Sequence, residues 1–274
     1  MARGMVLTDL DGTFLDSRGK ISNENLDMLH ELGRQKVVRV AATGRTLHSS
    51  REVVQHHLPF DYLVFSTGAG ICSFADDQII CAHELGEQDI HELAKFFLDC
   101  AVDFSIHHPI PDNHHFHWFA APKPSSDLAC RLKYLRDYAT QGPYQQISRA
   151  TQFLAISLDG LPIIEKLEQR FPHLSIIRTT SPIDGRHVWI EVFAAGASKG
   201  LAARWLCEQL NICRENTMSI GNDYNDLAML EWAGQGFVVA NGPRDLRQRF
   251  STAPCNDEHG FAVAASQWLK TLKP

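Results

Sequence analysis

Several things are missing from this 274-residue sequence. It has no run of lysines and arginines, and its net charge is −6. The electrostatic footprint of a nucleic-acid binder is absent, so no nucleic-acid partner is expected. A small anionic partner is still compatible with that charge, because a local site can be basic on an acidic protein. No apolar stretch approaches the roughly 18 residues of a membrane span, so no membrane partner is expected. There is no CxxC pair either. The seven cysteines, at 72, 81, 100, 130, 207, 213 and 255, are scattered and odd in number. They read as reduced, mostly core residues of a cytoplasmic protein. No apolar h-region precedes the run that starts at Met5, so no signal peptide is expected. Internal repeats and low-complexity linkers are absent as well.

What is present is an apolar fraction of 44%, enough to bury a core. It is laid out as alternating strands and helices. Met5–Asp9 reads as a strand, and Ser22–Arg34 as a helix capped by Ser22 with Leu26, Leu29 and Leu32 on one face. Val37–Ala42 reads as a strand, Thr46–His56 as a helix and Tyr62–Ser66 as a third strand. That order predicts a parallel sheet with right-handed crossovers. The pattern then changes. A hairpin is expected across Asp76-Asp77, with helices over Glu87–Cys100, Ser125–Gln141 and Leu161–Phe171. Strands are expected near Asp103–His107, His115–Ala120, Gln152–Leu158, Leu174–Thr179 and His187–Phe193. The last third resumes the first pattern: helix Ser198–Leu210, strand Thr217–Ile220, helix Asp226–Trp232, strand Gly236–Ala240 and helix Phe261–Leu272. The expected fold is α/β. A doubly wound, Rossmann-like parallel-sheet core spans residues 1–82 and 188–274, and an inserted α/β domain spans residues 83–187.

Chemistry concentrates where strands of the core should end. Asp9-Leu10-Asp11-Gly12-Thr13 puts two carboxylates two positions apart after an apolar run, a costly place for acids without a partner or a cation. Ala42-Thr43-Gly44-Arg45 follows the second strand. Ala197-Ser198-Lys199-Gly200 opens a helix, and Gly221-Asn222-Asp223-Tyr224-Asn225-Asp226 follows a later strand. In a doubly wound sheet these ends converge on one edge. Together they supply a nucleophilic carboxylate, a second carboxylate, a hydroxyl with neighbouring amides, an ammonium and an acidic loop. That set suits phosphoryl transfer assisted by a hard divalent cation.

In order, spacing and strand context, these four segments resemble the motifs of the haloacid dehalogenase superfamily of phosphohydrolases. The insertion resembles the large α/β cap of its Cof-type, sugar-phosphatase-like branch. The resemblance implies that Asp9 is a nucleophile forming an aspartyl-phosphate and also a metal ligand. It implies that Asp11 is the acid/base and lends its main-chain carbonyl to Mg²⁺. Thr43, Gly44 and Asn225 would bind phosphate, Lys199 would offset charge, and Asp226 would orient Lys199 or metal-bound water. Arg45 would reach substrate or brace the site. The family usually has Asp where this chain has Asn222, so either Asn222 or Asp223 would complete the metal site. Thr67 stands where many Cof-type chains have Asn. Arg178, Arg186 and His187 are candidate substrate contacts.

The implied activity is Mg²⁺-dependent hydrolysis of a small phosphorylated metabolite, foremost a sugar phosphate, by a monomer or weak homo-oligomer. A phosphotransferase or mutase on the same fold, and a non-catalytic metabolite-binding protein, are the alternatives. The histidines at 107, 108, 114, 115 and 117 read first as a polar, solvent-exposed loop, second as a cap surface facing substrate and last as a metal site.

Overall fold

The computed structural model describes residues 2–54 and 58–272. The chain divides into two compact units. The first comprises Met1–Arg45, Ser50–Cys81 and Ser198–Pro274; the second comprises Thr46–Ser49 and Ala82–Ala197.

Among the described residues, eight strands form the sheet of the first unit. Their order is Ser251–Ala253, Gln235–Val239, Thr217–Gly221, Gly4–Thr8, Val37–Ala42, Tyr62–Phe65, Gly70–Ser73 and Ile79–Ala82. The first six in that order pair in parallel, and Gly70–Ser73 returns antiparallel. Gly4–Thr8 is buried along its whole length, as a central strand covered on both faces must be. Met5 and Leu7 pack in one cluster with Val40, Ala203, Leu206 and Met229.

The order of the strands locates the site. From Gly4–Thr8 the chain steps outward through Val37–Ala42 and Tyr62–Phe65. Later it steps the opposite way, through Thr217–Gly221, Gln235–Val239 and Ser251–Ala253. The reversal falls between Gly4–Thr8 and Thr217–Gly221. The crevice beyond their carboxyl ends is where a sheet of this kind takes its ligand.

Helices begin where side chains can cap them. Ser22 accepts from the Asn25 amide at 3.2 Å and opens Asn23–Arg34. Ser198 accepts from the Leu201 amide at 3.1 Å and opens Lys199–Leu210. The helix expected over Thr46–His56 is Leu47–Val53; its expected end at His56 lies outside the described residues.

The second unit has its own sheet and core. Among the described residues its six main strands run Ser175–Thr180, Val188–Phe193, Gln152–Ser157, Asp103–His107, Phe116–Phe119 and Ala139–Gln141. Phe97, Phe104 and Phe153 sit at the centre of its apolar cluster.

Two expectations are corrected here. Val188–Phe193, expected to rejoin the first unit, instead pairs with Gln152–Ser157 and with Ser175–Thr180. The second unit therefore runs on to Ala197. The helix expected over Ser125–Gln141 is Ser126–Tyr134, and Ala139–Gln141 becomes an edge strand beside Phe116–Trp118. In both cases long-range pairing overrides local pattern.

Candidate active site

Asp9 follows the strand Gly4–Thr8 and continues its ladder, its amide donating to the Ile220 carbonyl at 3.0 Å. That places its carboxylate at the switch point, 5% exposed. The chain then turns tightly through Leu10–Phe14, with Gly12 at φ +72°. A Cβ on Gly12 would stand 2.6 Å from the Asn222 amide, so the turn needs glycine for both conformation and space.

Lys199, the first residue of its helix, is completely buried and donates from Nζ to Asp9 Oδ1 and to Asp226 Oδ1, each at 2.6 Å. Asp226 spends its other oxygen on the loop that carries it. Oδ2 accepts from the amides of Asn222 at 2.8 Å and Asp223 at 3.1 Å. The Asp223 carboxylate returns the favour by capping the Asp226 amide. Gly221 makes room for this fold-back, since a Cβ there would lie 2.4 Å from the Asp226 carboxyl carbon.

Charge is unevenly balanced. Burial pushes the Asp9 carboxyl up to about 7; Lys199 opposes this, while Asp226 and Asp11 add to it. Burial pulls on Lys199 in the other direction, but Asp226 and Asp9 outweigh it and keep the ammonium charged well above its ordinary range. With Asp9 ionised, two buried carboxylates around one ammonium leave a net negative charge at the switch point, which favours a cation.

The Asn222 side chain faces that charge. One end of its amide lies 3.1 Å from Asp9 Oδ2, 3.1 Å from the Asp11 main-chain oxygen and 3.2 Å from Thr13 Oγ1. An octahedral Mg²⁺ with bonds of 2.0–2.1 Å needs neighbouring oxygens about 2.9 Å apart. An Asn222 oxygen at that end, with Asp9 Oδ2 and the Asp11 carbonyl, therefore fits part of a Mg²⁺ shell. The Asp223 carboxylate is engaged in its own turn, capping the Asp226 amide.

The remaining expected residues distribute as follows. Thr43 is buried, and its Oγ1 accepts from the Arg45 amide at 3.1 Å. A Cβ on Gly44 would lie 3.5 Å from both Asn225 Nδ2 and Thr67 Oγ1, so three loops meet at Gly44. Thr67 donates its amide to the Thr43 carbonyl at 3.0 Å. Arg45 grips Asp11 in a two-point ion pair within the first unit.

Arg178, Arg186 and His187 belong to the second unit. His187, expected to touch substrate, is instead buried in that unit's own bonds: Nδ1 is 2.6 Å from Asp184 Oδ2 and 3.5 Å from Asp127 Oδ1. Trp189 Nε1 donates to the other Asp127 oxygen at 2.7 Å. Among the described residues, Asp127, Asp184 and His187 bring three ligand-type atoms within 4.8 Å, a cluster the sequence pattern does not announce.

The histidine-rich segment is not simply an exposed loop. His107 is buried, its Nδ1 is 2.9 Å from the Asn113 carbonyl, and burial pushes it down to about 3. His108 and His117 stack with ring centres 5.2 Å apart.

Asn241 is a site residue that motif reading misses. Its Nδ2 donates to the Gly12 carbonyl at 2.8 Å, and its Oδ1 accepts from the Asn256 amide at 3.1 Å. Its place just beyond the strand Gln235–Val239 was the available signal.

With this geometry in hand, the known proteins are informative. A family profile described as haloacid dehalogenase-like hydrolase matches residues 6–264. YxeH of Bacillus subtilis, whose name assigns it provisionally to the phosphatases, is 29% identical over 282 residues, covering 95% of this chain and 96% of its own. An HMP-PP phosphatase of Yersinia enterocolitica is 24% identical over 283 residues, covering 96% and 94%. The solved structure of BT4131, described as a subclass IIB sugar phosphatase, superposes with a TM-score of 0.76 at 18% identity, over 97% of this chain and 98% of that one.

Proposed function

The chain belongs to the haloacid dehalogenase-like hydrolases and is a phosphoric monoester hydrolase of that family; we propose that it is Mg²⁺-dependent and cleaves a small phosphorylated metabolite, foremost a sugar phosphate, by way of an aspartyl-phosphate on Asp9. One observation carries this reading: the Lys199 ammonium is buried between Asp9 and Asp226, 2.6 Å from each, at the switch point of the sheet.

The Asp9 carboxylate attacks phosphorus in line with the ester oxygen. As the new P–O bond forms, the bond to the metabolite breaks, and Asp11, in its protonated form and released from Arg45, delivers that proton to the departing oxygen. Asp11, now ionised, takes a proton from a water molecule whose oxygen attacks the same phosphorus. The bond to Asp9 breaks, and inorganic phosphate leaves. Thr43, Gly44 and Asn225 hold the phosphoryl oxygens, and Lys199 offsets their charge. Asp9, the Asp11 carbonyl and Asn222 would hold Mg²⁺, which supplies further charge neutralisation at the transferring group.

Substrate names come from relatives. The sugar-phosphatase description belongs to BT4131 and the HMP-PP name to the Yersinia protein. Both compound classes belong in the test panel. No described helix is long and apolar enough to cross a membrane. A cytoplasmic monomer or weak homo-oligomer is the proposed setting.

The test is phosphate release from sugar phosphates, HMP-PP and p-nitrophenyl phosphate, in Mg²⁺ and in EDTA. Hydrolysis that needs Mg²⁺ supports the reading. No release from any compound with any divalent cation overturns it.

A further inference from the structure

Asn222 faces two oxygens that carry no proton when Asp9 is ionised. The near end of its amide is 3.1 Å from Asp9 Oδ2 and 3.1 Å from the Asp11 carbonyl oxygen. With nitrogen at that end, the amide donates to both. With oxygen at that end and Asp9 ionised, three acceptors crowd one another, an arrangement that a cation among them makes favourable. The two ends of an amide have nearly the same shape, and half a turn about Cβ–Cγ exchanges them. Thr13 Oγ1, 3.2 Å from the same end, serves both orientations, since a hydroxyl accepts from nitrogen and donates to oxygen.

We propose that Asn222 is a cation-linked switch: its amide nitrogen seals Asp9 and the Asp11 carbonyl in the cation-free protein, and its amide oxygen turns in as a ligand when Mg²⁺ binds. This rests on the Mg²⁺ reading above. An aspartate at 222 could not work this way. It has no donor, and without a cation it would set another carboxylate against Asp9. The Asp223 carboxylate is engaged in capping the Asp226 amide. The switch trades Mg²⁺ affinity for a cation-free state whose polar groups are satisfied.

The test compares the wild type with Asn222→Asp by calorimetric Mg²⁺ titration and by thermal midpoint in EDTA and in Mg²⁺. The expected result is Mg²⁺ binding at least about 10-fold tighter in the variant, since affinity follows the charge count of the ligands. The variant's midpoint should also rise more on adding Mg²⁺ than the wild type's does. A second measurement uses the wild type alone. The Asn222 side-chain amide resonances, assigned by selective labelling, should be protected from exchange in EDTA and should move with Mg²⁺ along the calorimetric binding curve. If Asn222→Asp does not fold, this titration decides. Equal Mg²⁺ affinities, or amide resonances unmoved at saturating Mg²⁺ in a protein that hydrolyses phosphate esters with Mg²⁺, overturn the switch alone. No Mg²⁺ binding to the wild type overturns both the switch and the Mg²⁺ reading.

Discussion

Arg45 holds Asp11 at two points, Nε to Oδ2 and Nη2 to Oδ1, each at 2.7 Å. The fork matches the carboxylate, so the grip fixes direction as well as charge. Asp11 in turn raises the Arg45 pKa, which keeps the guanidinium charged. The pair is partly exposed, with side chains 32% and 53% accessible, so it contributes little to stability. Its consequence lies in aiming the group that handles protons.

Replacing Arg45 by alanine should therefore cost activity more than stability. The expected loss is about 10-fold in kcat on alkyl phosphates, whose leaving groups need a proton, and less on p-nitrophenyl phosphate, whose leaving group does not. Lysine should rescue poorly, because it lacks the planar fork. Parallel kcat measurements on the two substrate types, with a urea unfolding curve for each variant, check this. Equal losses on both would point to a general structural role.

Lys199→Ala leaves Asp9 and Asp226 buried together without their ammonium. A broken buried charge group of this kind costs about 3–5 kcal/mol, and turnover should fall by roughly 10²–10³ as well. Thermal unfolding and phosphate release measure the two effects. A variant of unchanged stability would contradict the charge balance argued for the site.

Asp9 carries a sign that can be read with pH. Its folded pKa of about 7 lies above the ordinary 3.8. Its contribution to stability is therefore complete below about pH 4 and is lost as pH rises through 7. In EDTA the midpoint should fall more between about pH 5 and 8 for the wild type than for Asp9→Asn, which has no proton to lose. Mg²⁺ favours the ionised carboxylate, so rising Mg²⁺ should narrow that difference. It should also move the acid limb of the kcat/KM profile to lower pH. A profile indifferent to Mg²⁺ would contradict the link between Asp9 and the cation.

Gly221→Ala tests the loop itself. The added methyl meets the Asp226 carboxyl at 2.4 Å and must displace it from Lys199. The expected cost is about 1–3 kcal/mol by urea unfolding, as for other overpacked sites, with a matching drop in turnover. Full activity would show that Lys199 does not need Asp226 to hold it.

The sequence made the first unit legible for a physical reason. Gly4–Thr8 is a fully buried central strand, so its apolar run is unbroken and Asp9 stands out at its end. The four loops around Asp9 sit at strand ends or helix starts, where turn and cap residues announce themselves. The second unit was read less well. Nothing local in Val188–Phe193 tells which sheet it joins, because its partners are remote in sequence. His187 reads as a candidate substrate contact in the sequence; one of the partners that hold it, Asp127, lies on a different element. The grip of Arg45 on Asp11 depends on two loops approaching in space, and spacing along the chain could only suggest it.

The most direct test of the account is chemical: acid quench of the enzyme during turnover, digestion, and mass spectrometry of the peptide that contains Asp9. With p-nitrophenyl phosphate, whose leaving group needs no proton, the account predicts a phosphoryl group on Asp9, present at higher level in Asp11→Asn, where hydrolysis of the intermediate is slowed, and absent from Asp9→Asn. Rapid phosphate release with no phosphorylated Asp9 peptide in the wild type or in Asp11→Asn would contradict it.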